Sequence, residues 1–309
     1  MIEISVIIPV RNEEKNIPEL SRRLQKVFNS LSLNYEVIFV TDINTDNTLN
    51  VLEAANKENS CIKTIKLSTG YGHHIAVLAG LHQCCGNSIV IMDGDLQDLP
   101  EDIPLLLNKI NEGYDVVYGV KEKKNESAFR NFLSKSFIKV MKALSDYDMS
   151  YNTCMFRVIS KRVVDEIRKF NEREPSITAM ISLIGFPSAE VLVQSGKRLA
   201  GETNYSLLRQ INFAISFLLS FSTKPLRIIS FVGLCISGLS MLYFIFVIIQ
   251  AVFFGVPVTG WPTLVTIVCF LGGMTLLAQG ITGEYIARIF METKRRPLYV
   301  IENKIGFEK

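Results

Sequence analysis

Hydrophobic positions along this chain fall into short β-rich runs separated by longer stretches with helical spacing. Apolar runs recur at Ile4–Val10, Tyr35–Val40, Ile62–Leu67, Ser88–Met92 and Asp115–Val120. Between them, patterns such as Ile17–Leu31, His73–Cys84 and Pro100–Asn111 place apolar residues on one helical face. Strands alternating with helices about every 30 residues predict right-handed βαβ units, hence an α/β domain with a mainly parallel, Rossmann-like sheet flanked by helices. Ligands of such sheets gather at the carboxyl ends of the strands. Pro9-Val10-Arg11-Asn12, Thr41-Asp42, Ser68-Thr69-Gly70 and Asp93-Gly94-Asp95 all fall at those ends, so the pattern predicts one site on one rim.

The pattern changes after Val120. A charged loop from Lys121 to Ser127 leads into a predicted helix at 128–144, and Lys161–Phe170 reads as another amphipathic helix. Residues 205–220 carry apolar side chains at helical spacing. They suit either a helix lying in a membrane interface or one packed on the soluble domain. From Ile228 to Gly283 there are 56 residues without Asp, Glu, Lys or Arg. One bilayer crossing needs about 20 largely apolar residues, so this stretch predicts a two-helix transmembrane hairpin at about 228–254 and 262–283, with a Gly/Pro-rich turn between.

Charge sets the orientation. Lys224 and Arg227 precede the first span, while Arg288, Lys294, Arg295 and Arg296 follow the second. Positive flanks remain in the cytoplasm, which predicts that both termini and the soluble part are cytoplasmic. The expected organisation is a domain at 1–204, a juxtamembrane helix at 205–225, the hairpin at 226–287 and a basic tail at 288–309. Met1-Ile2-Glu3-Ile4 begins directly in a strand-like run, without the pattern of a signal peptide. A net charge of +3 over 309 residues argues against a nucleic-acid partner. The six cysteines show no paired spacing, which predicts free thiols.

Candidate chemistry centres on Asp93 and Asp95. Residues i and i+2 of a strand share a face, so both carboxylates can close on one Mg²⁺ or Mn²⁺ where the strand gives way to a loop. Gln97 continues the spacing and adds a third oxygen, whereas Asp98 is placed to cap the helix that opens at Pro100. Gly70-Tyr71-Gly72 follows a strand, but Ile75 replaces the third small residue of a dinucleotide fingerprint. No phosphate-loop motif is present, and His73-His74 reads as a helix start rather than a metal pair.

Together these residues resemble the family-2 inverting glycosyltransferases of the GT-A fold, in the branch that transfers sugars to polyprenyl phosphates. The resemblance covers nearly the whole chain. It rests on Val6–Glu13, Asp93–Glu101 and Gly113–Val120, and on the closing signature Gly283–Phe290 with Arg296–Tyr299. It implies that Pro9, Arg11 and Glu13 line a nucleotide pocket, that Asp42 contacts base or ribose, and that Asp93, Asp95 and Gln97 hold the metal. It further implies that Lys121, Arg130 and Ser134 grip an acceptor phosphate, with Lys121 standing where relatives carry Arg. Four places depart from the family pattern. They are Thr41-Asp42-Ile43-Asn44, Ser68-Thr69-Gly70, Gly201–Tyr205 with Asn204 in place of Lys, and Tyr151–Phe156, which lacks an expected carboxylate.

The implied reaction moves a sugar from a nucleotide-linked donor, by default a uridine diphosphate sugar, onto undecaprenyl phosphate at a bilayer surface. Relatives of this kind assemble as homotetramers. Two other functions fit parts of the sequence. A weakened family member that binds lipid phosphate or scaffolds other proteins is suggested by Thr41, Gly70 and Asn204. A processive polysaccharide synthase is disfavoured by the short chain and the lack of further spans.

Overall fold

The structure is a computed structural model that describes residues 2–121, 155–196, 224–254 and 260–307. The chain divides into two compact units. The first comprises Met1–Asn131, Met149–Asn204 and Arg296–Lys309; the second comprises Phe132–Asp148 and Tyr205–Arg295.

The first unit is built on an eight-stranded sheet. Its strands are β1 (Ile4–Val10), β2 (Tyr35–Thr41), β3 (Ile62–Leu67), β4 (Ser88–Ile91), β5 (Val116–Lys121), β6 (Arg157–Ser160), β7 (Ser188–Val193) and β8 (Ile301–Ile305). Their spatial order is β7-β5-β6-β4-β1-β2-β3-β8. β6 runs antiparallel between β4 and β5, and β8 runs antiparallel along β3; the other neighbours are parallel. This is the mainly parallel α/β sheet that the alternating pattern predicts. The winding direction reverses between β1 and β4, which opens a crevice beyond their carboxyl ends.

Alternation along the strands feeds two cores. Ile4, Val6 and Ile8 of β1 face α1 (Ile17–Leu31), α2 (Thr48–Glu58) and α4 (Ile103–Asn111), whereas Ile7 faces α3 (His73–Gln83). Helices α5 (Lys161–Ile167) and α6 (Ile177–Ile184) complete the α3 side. Phe28 of α1 and Phe39 of β2 are fully buried, each contributing roughly 2–3 kcal/mol of hydrophobic stabilisation. Gly80 lets α3 approach the sheet: a Cβ there would lie 2.5 Å from Ile7 Cγ2 and 3.2 Å from Val40 Cγ2.

The segment expected as a basic tail returns to this sheet. Ser68 N–H donates to the Val300 carbonyl at 3.0 Å, and Lys66 pairs with Glu302 at 2.6 Å. Tyr299 Oη meets His82 Nδ1 at 2.7 Å, and Lys304 Nζ donates to Gln83 Oε1 at 2.6 Å, fastening the strand to the end of α3.

The second unit holds two long helices, α7 (Lys224–Phe254) and α8 (Trp261–Thr293). Among the described residues one segment, Leu226–Tyr243, is long and apolar enough to cross a membrane, and none of it is buried. Leu234, Phe253 and Leu276 are each more than 70% exposed, so the described parts of both helices present apolar surface. The expected helices at 128–144 and 205–220 lie outside the described residues.

Candidate active site

The crevice at the carboxyl ends of β1, β2 and β4 contains a cavity of about 300 Å³. Six of the residues singled out in the sequence line it: Pro9, Arg11, Glu13, Asp42, Asp93 and Asp95. Gly72 and His73 close it from the first turn of α3, and Val10, Val40, Ala76 and Gly94 supply the remaining wall. Gly94 is required by close approach, because a Cβ there would lie 2.6 Å from Val10 Cγ1.

The loop after β4 winds tightly around its carboxylates. Asp95 Oδ1 accepts from the Gln97 N–H at 3.1 Å, and Leu96 between them adopts φ of 63°. Gln97 lies in this loop, with its carbonyl accepting from Gly196 N–H at 3.0 Å, but it does not line the cavity. Asp98 departs from its expected capping role. Leu99 precedes the 3₁₀ turn Pro100–Asp102, Asp102 precedes α4, and neither start has a side-chain cap. Asp98 instead turns back into the site, almost fully buried. Its Oδ2 accepts from Asp93 N–H at 3.2 Å, while its Oδ1 pairs with Lys121 Nζ at 2.7 Å. Arg130 and Ser134 lie outside the described residues.

Asp93 opens onto the cavity, with 42% of its side chain exposed and the rest packed against protein. Burial, followed by the like charges of Asp98 and Asp95, pushes its carboxyl up to about 7, against the pull of Lys121 and Arg157. A divalent cation relieves the same repulsion, and an all-oxygen donor pair suits Mg²⁺ or Mn²⁺. The residues present therefore fit such an ion. His73 Nε2 stands 3.6 Å from Asp93 Oδ1. Burial, helped by the Arg157 charge, lowers the His73 pKa and favours a neutral imidazole. The helix start expected at His73 is present, yet its side chain also faces the cavity, a placement that i, i+1 spacing could not reveal.

The opposite wall is built by the loops after β1 and β2. Asp42 is 9% exposed; its Oδ1 makes no hydrogen bond and faces Arg11 Nε at 3.7 Å, and burial raises its pKa. Asn44 occupies the departure from the family pattern. Its Nδ2 donates to Thr41 Oγ1 at 2.7 Å and to the Asp42 carbonyl at 3.2 Å. Thr41 and Asn44 thus brace the Asp42 turn with each other. Glu13 N–H donates to Thr48 Oγ1 at 2.9 Å, Glu14 N–H to Asp46 Oδ2 at 3.2 Å, and Asn47 N–H to Glu14 Oε2 at 2.9 Å, sewing the two loops together.

The sequence pattern of Glycosyl transferase family 2 matches residues 5–168, which contain every described strand end that lines the cavity. Full-length relatives agree. A Bacillus subtilis (strain 168) protein named uncharacterized glycosyltransferase YkcC is 36% identical over 99% of this chain and 95% of its own length. The undecaprenyl-phosphate 4-deoxy-4-formamido-L-arabinose transferase of Proteus mirabilis (strain HI4320) is 34% identical over 99% of this chain and 95% of its own. The chain belongs to glycosyl transferase family 2.

A similar fold is seen in the solved glucosyl-3-phosphoglycerate synthase of Mycobacterium tuberculosis, determined with Mg²⁺ and uridine diphosphate. It superposes with a TM-score of 0.52 at 17% identity, covering 71% of this chain and 78% of that one, a likeness of fold. Within this family-2 site, sequence reasoning missed Asp98 and also Arg157, the first residue of β6. Arg157 is fully buried, stacks 5.3 Å from the Tyr118 ring and donates to Thr178 Oγ1 at 3.2 Å. Its charge bears on His73, His74 and Asp93 from beneath the pocket. An arginine opening a short apolar strand gives no sequence signal of that position.

Proposed function

We propose that this family-2 member is a membrane-anchored inverting glycosyltransferase that moves a sugar from a uridine diphosphate donor to undecaprenyl phosphate. The observation that carries the reading is the shared cavity: Asp93 and Asp95 face the same 300 Å³ space as Arg11, Glu13 and Asp42. That is the arrangement needed to hold a diphosphate beside its nucleoside. Relatives named as undecaprenyl-phosphate sugar transferases support the acceptor, and neighbours solved with uridine diphosphate and Mg²⁺ or Mn²⁺ support donor and cation.

Pro9, Arg11 and Glu13 line the nucleotide side in this proposal, with Asp42 Oδ1, which faces Arg11 and makes no hydrogen bond, accepting from base or ribose. Asp93 and Asp95, with Gln97 behind them in the same loop, would hold a divalent cation that would supply charge neutralisation for the departing diphosphate. Lys121, with Arg130 and Ser134, holds the acceptor phosphate. An alcohol acceptor needs a general base, but a phosphate monoester with a second pKa of about 6 is largely dianionic at neutral pH. Its oxygen attacks the anomeric carbon as the bond to the nucleotide diphosphate breaks, inverting that centre. The carboxylate missing near Tyr151 is therefore not needed for proton removal.

The exposed apolar faces of α7 and α8 support anchoring by a two-helix hairpin, and the uncharged run between Ile228 and Gly283 supports a second crossing beside Leu226–Tyr243. Basic flanks at both ends then keep the catalytic unit cytoplasmic. Anchoring converts a rare encounter with a lipid-bound acceptor into a local one. A homotetramer and the 1–204, 205–225, 226–287 and 288–309 divisions are part of the same proposal.

The test combines purified full-length protein, undecaprenyl phosphate, Mn²⁺ and a panel of uridine diphosphate sugars. Release of uridine diphosphate and formation of a lipid-linked sugar are expected with one donor, and both should vanish in Asp95→Ala. Nucleotide binding without turnover on any donor would sink the proposal.

A further inference from the structure

We infer that Asp98 is a positioning residue that ties the cation-binding loop to the cation meant for the acceptor phosphate. The inference rests on the proposed reaction, in which Lys121 meets that phosphate. It arises from one buried carboxylate with two different partners. Asp98 Oδ2 accepts from the Asp93 backbone N–H at 3.2 Å, and Oδ1 pairs with Lys121 Nζ at 2.7 Å. The Asp98 side chain is 3% exposed and the Lys121 side chain 26% exposed, so the carboxylate is enclosed while the lysine side chain stays partly open to solvent. Asp98 is itself held by a bridge to Ser195.

A lysine side chain at a strand end carries large rotamer freedom and a strongly hydrated charge. Lacking the guanidinium fork, it depends on a partner to set its position. Asp98 supplies that partner, and it takes its own position from the backbone that carries Asp93. Any shift of the Asp93–Asp95 loop on loading with cation and nucleotide therefore moves the carboxylate that holds Lys121. Donor and acceptor halves of the site share one rigid joint.

The two oxygens can be separated by substitution. Asp98→Asn keeps an oxygen acceptor for the Asp93 N–H but removes the charge that holds Lys121. Asp98→Ala removes both. Binding is read by calorimetry on the full-length protein in detergent, with two probes: farnesyl phosphate for the acceptor arm and Mn²⁺ with uridine diphosphate for the donor arm. Asp98→Asn should weaken farnesyl phosphate about tenfold, the worth of one charge-assisted hydrogen bond, and leave the nucleotide within about twofold. Asp98→Ala should weaken both arms. In Lys121→Ala, adding Asp98→Asn should cost no further phosphate affinity, because the partner it positions is gone.

Melting temperatures accompany each variant. Should Asp98→Asn fail to fold, Asp98→Glu keeps the charge but shifts both oxygens by a methylene, and a loss on the acceptor arm larger than that on the donor arm is required. Equal losses on both arms, or unchanged farnesyl phosphate binding, overturn the inference and leave Asp98 a structural residue. Sugar transfer by the unsubstituted protein is measured separately. Its absence, with Asp98-dependent phosphate binding intact, counts against the proposed reaction and not against the joint.

Discussion

Asn12 and Asn44 clasp the two donor-side loops: the Asn12 N–H donates to Asn44 Oδ1 at 3.0 Å, and Asn12 Oδ1 takes the neighbouring Thr45 N–H at 2.8 Å. Asn12 sits at φ of 57°, a left-handed conformation that asparagine tolerates better than most residues. Asn44→Ala removes the side-chain half of the clasp and the brace on Thr41. Three side-chain hydrogen bonds are lost, so uridine diphosphate should bind about tenfold more weakly and the melting temperature should fall by several degrees. Titration of wild type and variant with the nucleotide checks this.

Removal of divalent ions should abolish turnover. Chelation with EDTA is expected to stop sugar transfer completely, and added Mn²⁺ or Mg²⁺ to restore it, since the proposed site offers only oxygen ligands. Restoration by Zn²⁺ alone would point to a nitrogen ligand, and His73 would then be the residue to replace.

Acid should weaken the fold through His74. Burial, with the His73 and Arg157 charges, depresses its pKa from 6.5 to about 4, and its Nδ1 has no hydrogen-bond partner. The folded state therefore binds fewer protons than the unfolded state between those values. Stability contributed by neutral His74 is complete above pH 6.5 and is lost as pH falls toward 4, by at most about 3 kcal/mol. Melting temperatures measured across that range should fall less steeply for His74→Gln than for wild type.

Gly80→Ala should destabilise the first unit by about 1–3 kcal/mol, the usual cost of overpacking a core. The added methyl would lie 2.5 Å from Ile7 Cγ2, and Ile7 is fully buried in the centre of the sheet. A melting-temperature drop of several degrees without loss of nucleotide affinity at low temperature is the expected result.

Deleting residues 299–309 should lower the melting temperature and promote aggregation, measured by light scattering on heating. The deletion strips β8 from β3 and removes the Tyr299–His82 and Lys66–Glu302 contacts. An uncovered edge strand is open to pairing with another chain.

Strands with dense apolar runs were legible in the sequence, and β1, β3 and α1 begin and end where their patterns do. β6, with the four residues Arg157–Ser160, and β8, with three polar residues in Ile-Glu-Asn-Lys-Ile, were not. Their strand character comes from pairing with strands already in place, a tertiary effect that short windows do not record. The acids after β4 show the same division. The end of the apolar run placed Asp93 and Asp95 on the rim, but β4 stops at Ile91, so both acids lie in the loop beyond it and not on a shared strand face; Asp98 then follows a left-handed Leu96 that reverses the loop, and no spacing rule anticipates that reversal. Its partner Lys121 is 23 residues away in sequence, so only the fold could join them.

The late position of β8 has a consequence for biogenesis. Ribosomes make β3 early, yet its outer neighbour emerges only after α7 and α8 have been synthesised. The sheet thus stays open at one edge throughout production of the apolar helices. Its closure is therefore a late step: a nascent chain that stalls before β8 is made carries an unfinished sheet with the β3 edge unpaired.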